Sequence, residues 1–163
     1  MRQRNTNHPA LRRLDPLVGH WHMYALVDDV PGGRLGPVRS VHEWTDDGGF
    51  LVQRADLDPG AALDMPDLWR ENLPFPTVSL TGYDDTDEQF TMLYADGRGV
   101  SRVYGLSLTD GELRMWRAAP GFHQRFSARF DGSGDALAGA WERSEDGEAW
   151  VKDFGVLYER ISP

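Results

Sequence analysis

The sequence contains no cysteine among its 163 residues. Thiol nucleophiles, disulfide bridges and thiolate-bound zinc or iron–sulfur sites are therefore excluded. Long apolar runs are missing too, since none approaches the roughly 20 residues that a membrane-spanning helix needs. The first residues are polar and lack the apolar stretch of a secretory signal. We therefore expect a soluble, cytoplasmic protein rather than an integral membrane protein.

Basic residues are also few, with 17 Lys and Arg against 26 Asp and Glu, and the net charge is -9. This acidic balance argues against nucleic acid or an anionic membrane surface as the main partner, because both attract basic surfaces. The sequence carries no P-loop, dinucleotide fingerprint or nucleophile elbow. We accordingly predict no cofactor and assign no catalytic residue.

Turn residues are abundant, with 18 glycines and 10 prolines, and they separate short runs of alternating apolar residues. Such punctuation is typical of antiparallel hairpins. The Asp-Gly pairs that mark the turns are Asp47-Gly48, Asp96-Gly97, Asp110-Gly111, Asp131-Gly132 and Asp146-Gly147. The predicted strands are 18–27, 39–44, 50–57, 77–84, 90–95, 100–108, 112–118, 122–130, 136–144 and 150–160.

We predict an all-β fold, a closed or nearly closed antiparallel up-and-down barrel of about eight to ten strands, because closure removes exposed strand edges. A short helical turn over residues 8–17 precedes the barrel. Residues 1–10 are predicted to be a flexible N-terminus and residues 11–163 a single domain. The long segment 58–76 is either a lid over the barrel or a surface excursion held down by Trp69.

Strand alternation assigns residues to the interior of the barrel. In 122–130 the face with Phe126 must point inward, because the opposite face carries His123 and Arg125. The same sorting brings polar side chains inside, which a purely structural core would not contain. These inward polar residues are Tyr94, Arg102, Tyr104, Arg117 and Gln124. Either the barrel holds a polar, partly wet cavity, or the alternation is shifted by one residue in these strands.

The segment Leu17-Val-Gly-His-Trp21 carries the G-x-W signature that opens lipocalin-like barrels. In that superfamily a basic residue of the last strand stacks on the tryptophan, and Arg160 occupies the corresponding place here. The chain resembles a bacterial calycin-like family of unassigned function over residues 11–161. The resemblance also includes Thr81-Gly-Tyr-Asp84, Tyr104-Gly105, an Asp146-Gly-x-x-Trp150 motif and the closing Tyr158-x-Arg160.

This resemblance implies a barrel that binds a small molecule in its interior, with occasional enzymes among its members. It also includes a haem-binding branch, the nitrobindin-like proteins, which use a histidine near the C-terminus. The present sequence has no histidine after His123. The haem hypothesis is thereby weakened.

His20 and His22 form the most metal-like motif, because residues two apart on a strand share a face. With His42 or Glu43 they could complete a three-ligand zinc or iron site. The simpler interpretation places both imidazoles on the outer face, opposite Trp21, and we predict no metal site. His42 itself is either a hydrogen-bonded core residue or a ligand or base in the interior.

We predict a protein that binds a small, partly apolar molecule with a polar or anionic group inside the barrel, and we do not favour an enzyme. The predicted ligand-binding residues are His42, Trp44, Tyr94, Arg102, Tyr104, Met115, Arg117 and Gln124. The alternatives are an isomerase, cyclase or decarboxylase acting on a small aromatic or carbonyl compound, and a nitrobindin-like haem binder. A further alternative is an interaction module in which the closing strands form a homodimer.

Overall fold

The computed structural model describes residues 8–61 and 65–163. The chain forms a closed barrel of ten antiparallel strands, each paired with its neighbours in sequence, and the first strand pairs with the last. The strands are β1 (Gly19–Leu26), β2 (Arg34–Trp44), β3 (Leu51–Leu57), β4 (Thr77–Asp84), β5 (Gln89–Asp96), β6 (Ser101–Thr109), β7 (Glu112–Arg117), β8 (His123–Phe130), β9 (Ala136–Ser144) and β10 (Val151–Ser162). The predicted up-and-down barrel is thus confirmed, at the upper end of the predicted strand number.

The helical elements are short. Those bounded within the described residues are a 3-10 helix (Pro9–Leu17), a 3-10 turn (Pro31–Gly33) and a helix α1 (Asp67–Glu71). The predicted helical turn at the start of the barrel is confirmed, and its leucines face the core as their spacing predicted. Of the segment predicted to be a flexible N-terminus, residues 1–7 lie outside the described residues. Within the described ranges, no helix has both the length and the apolar character needed to cross a bilayer.

The residues in the turns determine how neighbouring strands are joined into hairpins. Between β6 and β7 the loop has only two residues, and both have positive φ, 52° at Asp110 and 75° at Gly111. This conformation gives the turn the twist that matches antiparallel strands, and Asp-Gly adopts it readily. The Asp-Gly punctuation in the sequence therefore located this turn correctly.

Strand β2 begins at Arg34, five residues before the position predicted from the sequence. The added residues include Pro37, and proline lacks an amide hydrogen for the sheet ladder. The pairing of β1 with β2 shifts its register between Met23 and Ala25, and Gly36 has a φ of 135° opposite this irregularity. The bulge accommodates Pro37, so the strand continues through it.

One end of the barrel is closed by the N-terminal 3-10 helix. Its apolar side chains Leu11, Leu14 and Leu17 are buried against the strands. Directly above them Trp21 is only 2% exposed, and its Nε1 donates to the Leu17 carbonyl oxygen over 2.9 Å. The Arg160 guanidinium lies 4.0 Å from the centre of the Trp21 ring. The cation–π contact predicted from the G-x-W motif is confirmed.

The opposite end carries the segment 58–76, of which residues 62–64 lie outside the described residues. Here Trp69 of α1 packs edge-on against Phe154, with ring centres 5.8 Å apart. It also joins a small apolar cluster with Val30, Leu35 and Met65. The segment is therefore anchored by Trp69 over the ends of β1, β2 and β10. Whether it opens as a lid stays a prediction.

Candidate functional site

A cluster of polar side chains lies inside the barrel at the end opposite the 3-10 helix, on β6, β7 and β8. The Oε1 atom of Gln124 accepts hydrogen bonds from the Tyr104 hydroxyl at 2.8 Å and from Arg102 Nη1 at 3.2 Å. Arg117 Nη1 approaches the same oxygen at 3.5 Å. We call these four residues the rim cluster. These four residues point to the same interior, so the alternation predicted for β6, β7 and β8 is not shifted.

The charges of the rim cluster are not balanced. Most other arginines in the described chain pair with carboxylates, as in Arg98–Asp96 and Arg125–Glu142, and Arg13 is the other exception. Neither Arg102 nor Arg117 has a carboxylate partner among residues 8–61 and 65–163. Two guanidinium groups thus share one neutral amide oxygen in a partly buried place, where repulsion between like charges is weakly screened.

Aromatic rings flank the rim cluster. The Arg102 guanidinium lies 5.2 Å from the centre of the Phe122 ring, and Tyr94 meets Tyr104 edge-on at 6.4 Å. Burial raises the pKa of the Tyr104 phenol, although the nearby charges of Arg102 and Arg117 oppose this effect. The phenol is therefore a hydrogen-bond donor at neutral pH. Together the rings give the rim cluster an apolar wall beside its two positive charges.

Tyr94 does not contribute its hydroxyl to the rim cluster. Its Oη donates to Asp96 Oδ2 over 2.9 Å, and burial raises the pKa of this phenol. Asp96 in turn pairs with Arg98 at 2.7 Å, and this hydrogen bond is the main reason that the pKa of Asp96 falls to about 2. The Asp96 carboxylate therefore has its partners within its own hairpin and does not pair with Arg102 or Arg117.

A cavity of about 50 Å³ lies deeper in the barrel, between the rim cluster and the 3-10 helix. The cavity and the rim cluster lie on the same inward face of the strands. Met115, which lines the cavity, is two residues before Arg117 on β7, and Phe126, which also lines it, is two residues after Gln124 on β8. The rings of Phe126, Tyr104 and Trp141 pack against one another near this level. Such a volume holds one or two water molecules and is far below the roughly 300–1,000 Å³ of pockets for drug-sized ligands.

The wall of the cavity on β2, β3 and β4 is polar. Gln53 donates from Nε2 to Ser40 Oγ at 2.9 Å and accepts from Ser79 Oγ at 3.2 Å. Thr81 lines the same wall, and Ser40, Ser79 and Thr81 are all buried. Burial raises the pKa of Tyr158, across the cavity on β10, to about 12, with the Gln53 side chain acting in the opposite direction. The hydroxyl is therefore neutral.

His42 projects from β2 into this cavity. Its Nδ1 atom is buried and has no hydrogen-bond partner among the described residues. Burial, assisted by the positive charge of Arg160, lowers the pKa of His42 to about 4. The imidazole is consequently neutral at physiological pH. Of the two sequence-based interpretations of His42, the hydrogen-bonded core residue does not match the observed geometry.

The predicted site residues thus fall into separate places. His42 and Met115 line the cavity, whereas Arg102, Tyr104, Arg117 and Gln124 form the rim cluster and Tyr94 lies beside it. Trp44 lies at the closed end and does not line the cavity. Its Nε1 donates to Asp15 Oδ1 over 3.0 Å, and Arg12 stacks on its ring.

His20 and His22 lie on β1, away from His42. His20 is exposed, and His22 meets the Tyr24 ring edge-on on the same outer face. Within residues 8–61 and 65–163, no three His, Asp or Glu side chains come close enough together to hold a metal ion.

The sequence did not predict the polar wall of Gln53, Ser79 and Thr81, or Ser40 behind it. The available signal was the alternation of Thr77, Ser79 and Thr81 with Val78 and Leu80 in β4. Apolar side chains normally face the core, so this pattern favours the wrong face.

Comparisons with known proteins support the fold and go no further. No protein-family model matches the chain, and no curated protein matches it. Among solved structures it is similar to the crystal structure of Rv2717c from M. tuberculosis, with a TM-score of 0.54 and 16% sequence identity. The match covers 94% of this chain and 98% of that chain. At this identity the likeness shows a shared barrel fold alone.

Proposed function

We propose that the protein binds a small, partly apolar molecule through an anionic group held at the rim cluster. The observation that carries this proposal is the pair Arg102 and Arg117, which share the Gln124 oxygen and have no carboxylate partner among the described residues. A carboxylate, sulfonate or phosphate placed between them would accept charge-assisted hydrogen bonds and relieve the repulsion between the guanidinium groups.

The apolar part of the ligand is expected to lie against the rings at the same end, chiefly Phe122 and Tyr104. The inner cavity is too small to hold the apolar part of the ligand, so this part lies outside it. The segment 58–76 packs through Trp69 over the β1, β2 and β10 side of this end, and its Pro74 carbonyl accepts from the Gly97 amide in the β5–β6 turn at 2.8 Å. Arg102 and Arg117, on β6 and β7, are partly exposed. The two arginines are thus placed where a ligand from solvent can reach them.

We also propose that the protein is lipocalin-like (calycin-like) in the finer sense, since the Trp21–Arg160 contact reproduces the arrangement that the G-x-W resemblance implies. Its predicted cytoplasmic location and bacterial affiliation stay predictions. The enzyme and haem alternatives gain no specific support. Their best residue, the neutral His42, faces a cavity of about 50 Å³, which accommodates neither a porphyrin nor an aromatic substrate.

Two matched fluorescent probes test the anion site, 8-anilinonaphthalene-1-sulfonate and N-phenyl-1-naphthylamine, which share their rings and differ by the sulfonate. We expect the sulfonate probe to bind more tightly. Replacing Arg102 or Arg117 by Leu should weaken its binding about tenfold or more, as expected when a charge-assisted hydrogen bond is lost. Affinities come from fluorescence titration, and melting temperatures from circular dichroism should stay nearly unchanged.

The control variant is Arg125→Leu, which removes the same charge from the outer face of β8, where Arg125 pairs with Glu142. It should leave the affinity for the sulfonate probe as in the wild type. Equal affinities for the two probes, or a sulfonate affinity that survives both rim substitutions, would refute the anion site. A large drop in melting temperature on Arg102→Leu would instead assign Arg102 a structural role.

A further inference from the structure

The outer face of β4, β5 and β6 is unusually apolar for a surface. Leu80, Leu93 and Val103 are 37%, 50% and 57% exposed, and they lie directly opposite one another in the sheet. They form a continuous apolar row across three strands. Isolated exposed apolar residues are ordinary, whereas a contiguous patch marks an interaction site. We call this surface the β4–β6 face.

Two aromatic rings extend the β4–β6 face at its sides. Phe50 lies on Gly82 and Trp116 lies on Gly105. A Cβ atom added at Gly105 would come within 2.5 Å of the Trp116 ring, and one added at Gly82 within 3.2 Å of Phe50. Glycine at both positions thus lets the rings lie close against the sheet, where they remain 44% and 38% exposed for Phe50 and Trp116.

Charge is excluded from this surface. Along β4, β5 and β6, all of which the structure describes, Asp84 at the end of β4 is the single charged residue that points outward. The flanking strands carry outward charges, Arg54 on β3 and Arg114 on β7, and each of these is paired with a glutamate. In a chain that is 26% charged, an outer face over three strands whose single charge lies at its end requires a specific explanation.

A second copy of this chain is the partner that these features fit. Because each copy has a net charge of -9, charge repulsion opposes contact between two copies least at a face that carries almost no charge. A partner of opposite charge would instead be recognised by a charged surface. The arrangement is also self-complementary. A two-fold axis that runs parallel to the strands, between the Leu93 side chains of the two copies, brings Leu80 of one copy against Val103 of the other.

The exposed area is consistent with this partner. The apolar residues of the β4–β6 face together with Phe50 and Trp116 expose on the order of 500 Å² per copy, near the upper end of patches on monomers. Two such patches with their polar surroundings reach the roughly 1,200 Å² at which specific interfaces begin. We propose that the protein forms a two-fold symmetric homodimer through the β4–β6 face, rather than through the closing strands β1 and β10.

Sedimentation velocity from sub-micromolar to high-micromolar concentration tests the proposal with the full chain. The wild type should shift from monomer to dimer, and Leu93→Asp should weaken the dimer at least tenfold. Ala138→Asp is the matched control, because it adds the same charge at an exposed position of β9 and should leave the dimer intact. A wild type that stays monomeric throughout, or a Leu93→Asp variant that dimerises as well as the wild type, overturns the proposal.

A cross-linking measurement keeps the test decisive if Leu93→Asp does not fold. The natural sequence has no cysteine, so Leu93→Cys supplies a single thiol beside the proposed axis. A short bismaleimide matched to the about 10 Å spacing of packed sheets should join two such copies efficiently. The same reagent should join Ala138→Cys poorly. Equal yields of covalent dimer from the two variants contradict the β4–β6 interface.

Discussion

Replacing Trp21 by Ala should lower the free energy of unfolding by about 3–5 kcal/mol, the range observed when large buried aromatic side chains are truncated. Trp21 is 2% exposed and makes ring contacts with Phe130 and Tyr158. The substitution also removes the donor to the Leu17 carbonyl and the ring beneath the Arg160 guanidinium. Because small domains have a total free energy of unfolding of only about 5–15 kcal/mol, the Trp21→Ala variant should be only marginally stable. Urea unfolding followed by circular dichroism measures the change.

Two further variants separate the parts of this effect. Trp21→Phe keeps an aromatic ring but loses the Nε1 donor, so it should destabilise the protein less than Trp21→Ala. Arg160→Leu removes the cation and its hydrogen bonds to the Val18 and Pro16 carbonyl oxygens, at 2.7 and 2.8 Å. A Trp21→Ala variant that unfolds at nearly the wild-type urea concentration would show that the closed end contributes little to stability.

The stability of the protein should fall steeply in acid because of His42. The folded-state pKa is about 4 against an ordinary value of 6.5. Between these values the unfolded chain binds a proton at this imidazole and the folded protein does not, so the free energy of unfolding decreases as the pH falls from 6.5 to 4. Over this whole pH range the free energy of unfolding should decrease by about 3 kcal/mol. Below about pH 4 the folded state binds the proton too, and the contribution levels off.

His42→Leu should abolish this part of the pH dependence. The measurement is urea unfolding of wild type and variant at pH 7 and pH 4, comparing the change in unfolding free energy between the two pH values. The charged or titratable neighbours are Arg160, which opposes protonation of His42, and Tyr158, which also lines the cavity. His20→Leu, at an exposed position of β1, controls for the loss of an imidazole. An unchanged acid sensitivity in His42→Leu would argue against a desolvated imidazole.

At pH 7 the same variant reports on the unpartnered nitrogen. A buried polar atom without a hydrogen bond costs about 1–3 kcal/mol, so leucine, an apolar residue of similar size, need not destabilise the fold at this position. Stability alone therefore does not explain a histidine at this position. The structure accounts for its neutral state and supplies no partner for it among the described residues.

The strands were predictable because their turns are marked locally. Asp110-Gly111 carries the conformational requirement of its turn in the two residues themselves, so β6 and β7 could be bounded without tertiary information. The start of β2 could not, because Pro37 is accommodated by a bulge in β2 itself, where its pairing with β1 shifts register. That irregularity depends on pairing between β1 and β2, which local sequence does not specify.

The site was predictable to the extent that strand alternation was regular. In β8 the apolar Phe126 fixes the inward face, and Gln124 follows from it by parity. In β4 the polar Ser79 and Thr81 point inward while Val78 and Leu80 point outward. Local hydrophobicity is inverted there because the interior contains a polar wall and the exterior carries the β4–β6 face. No single-strand pattern distinguishes this inversion from an ordinary half-buried strand.

Pairing of the first strand with the last has a consequence for the order of events during synthesis. Trp21 pairs with Arg160, so the seam between β1 and β10 joins segments separated by almost the whole described chain. Until β10 has left the ribosome, β1 and β9 each keep an unpaired edge, and Trp21 lacks its contact with Arg160. Contacts of this length form slowly and expose strand edges meanwhile. A nascent chain halted before β10 should accordingly bind chaperones and be cleaved readily by proteases.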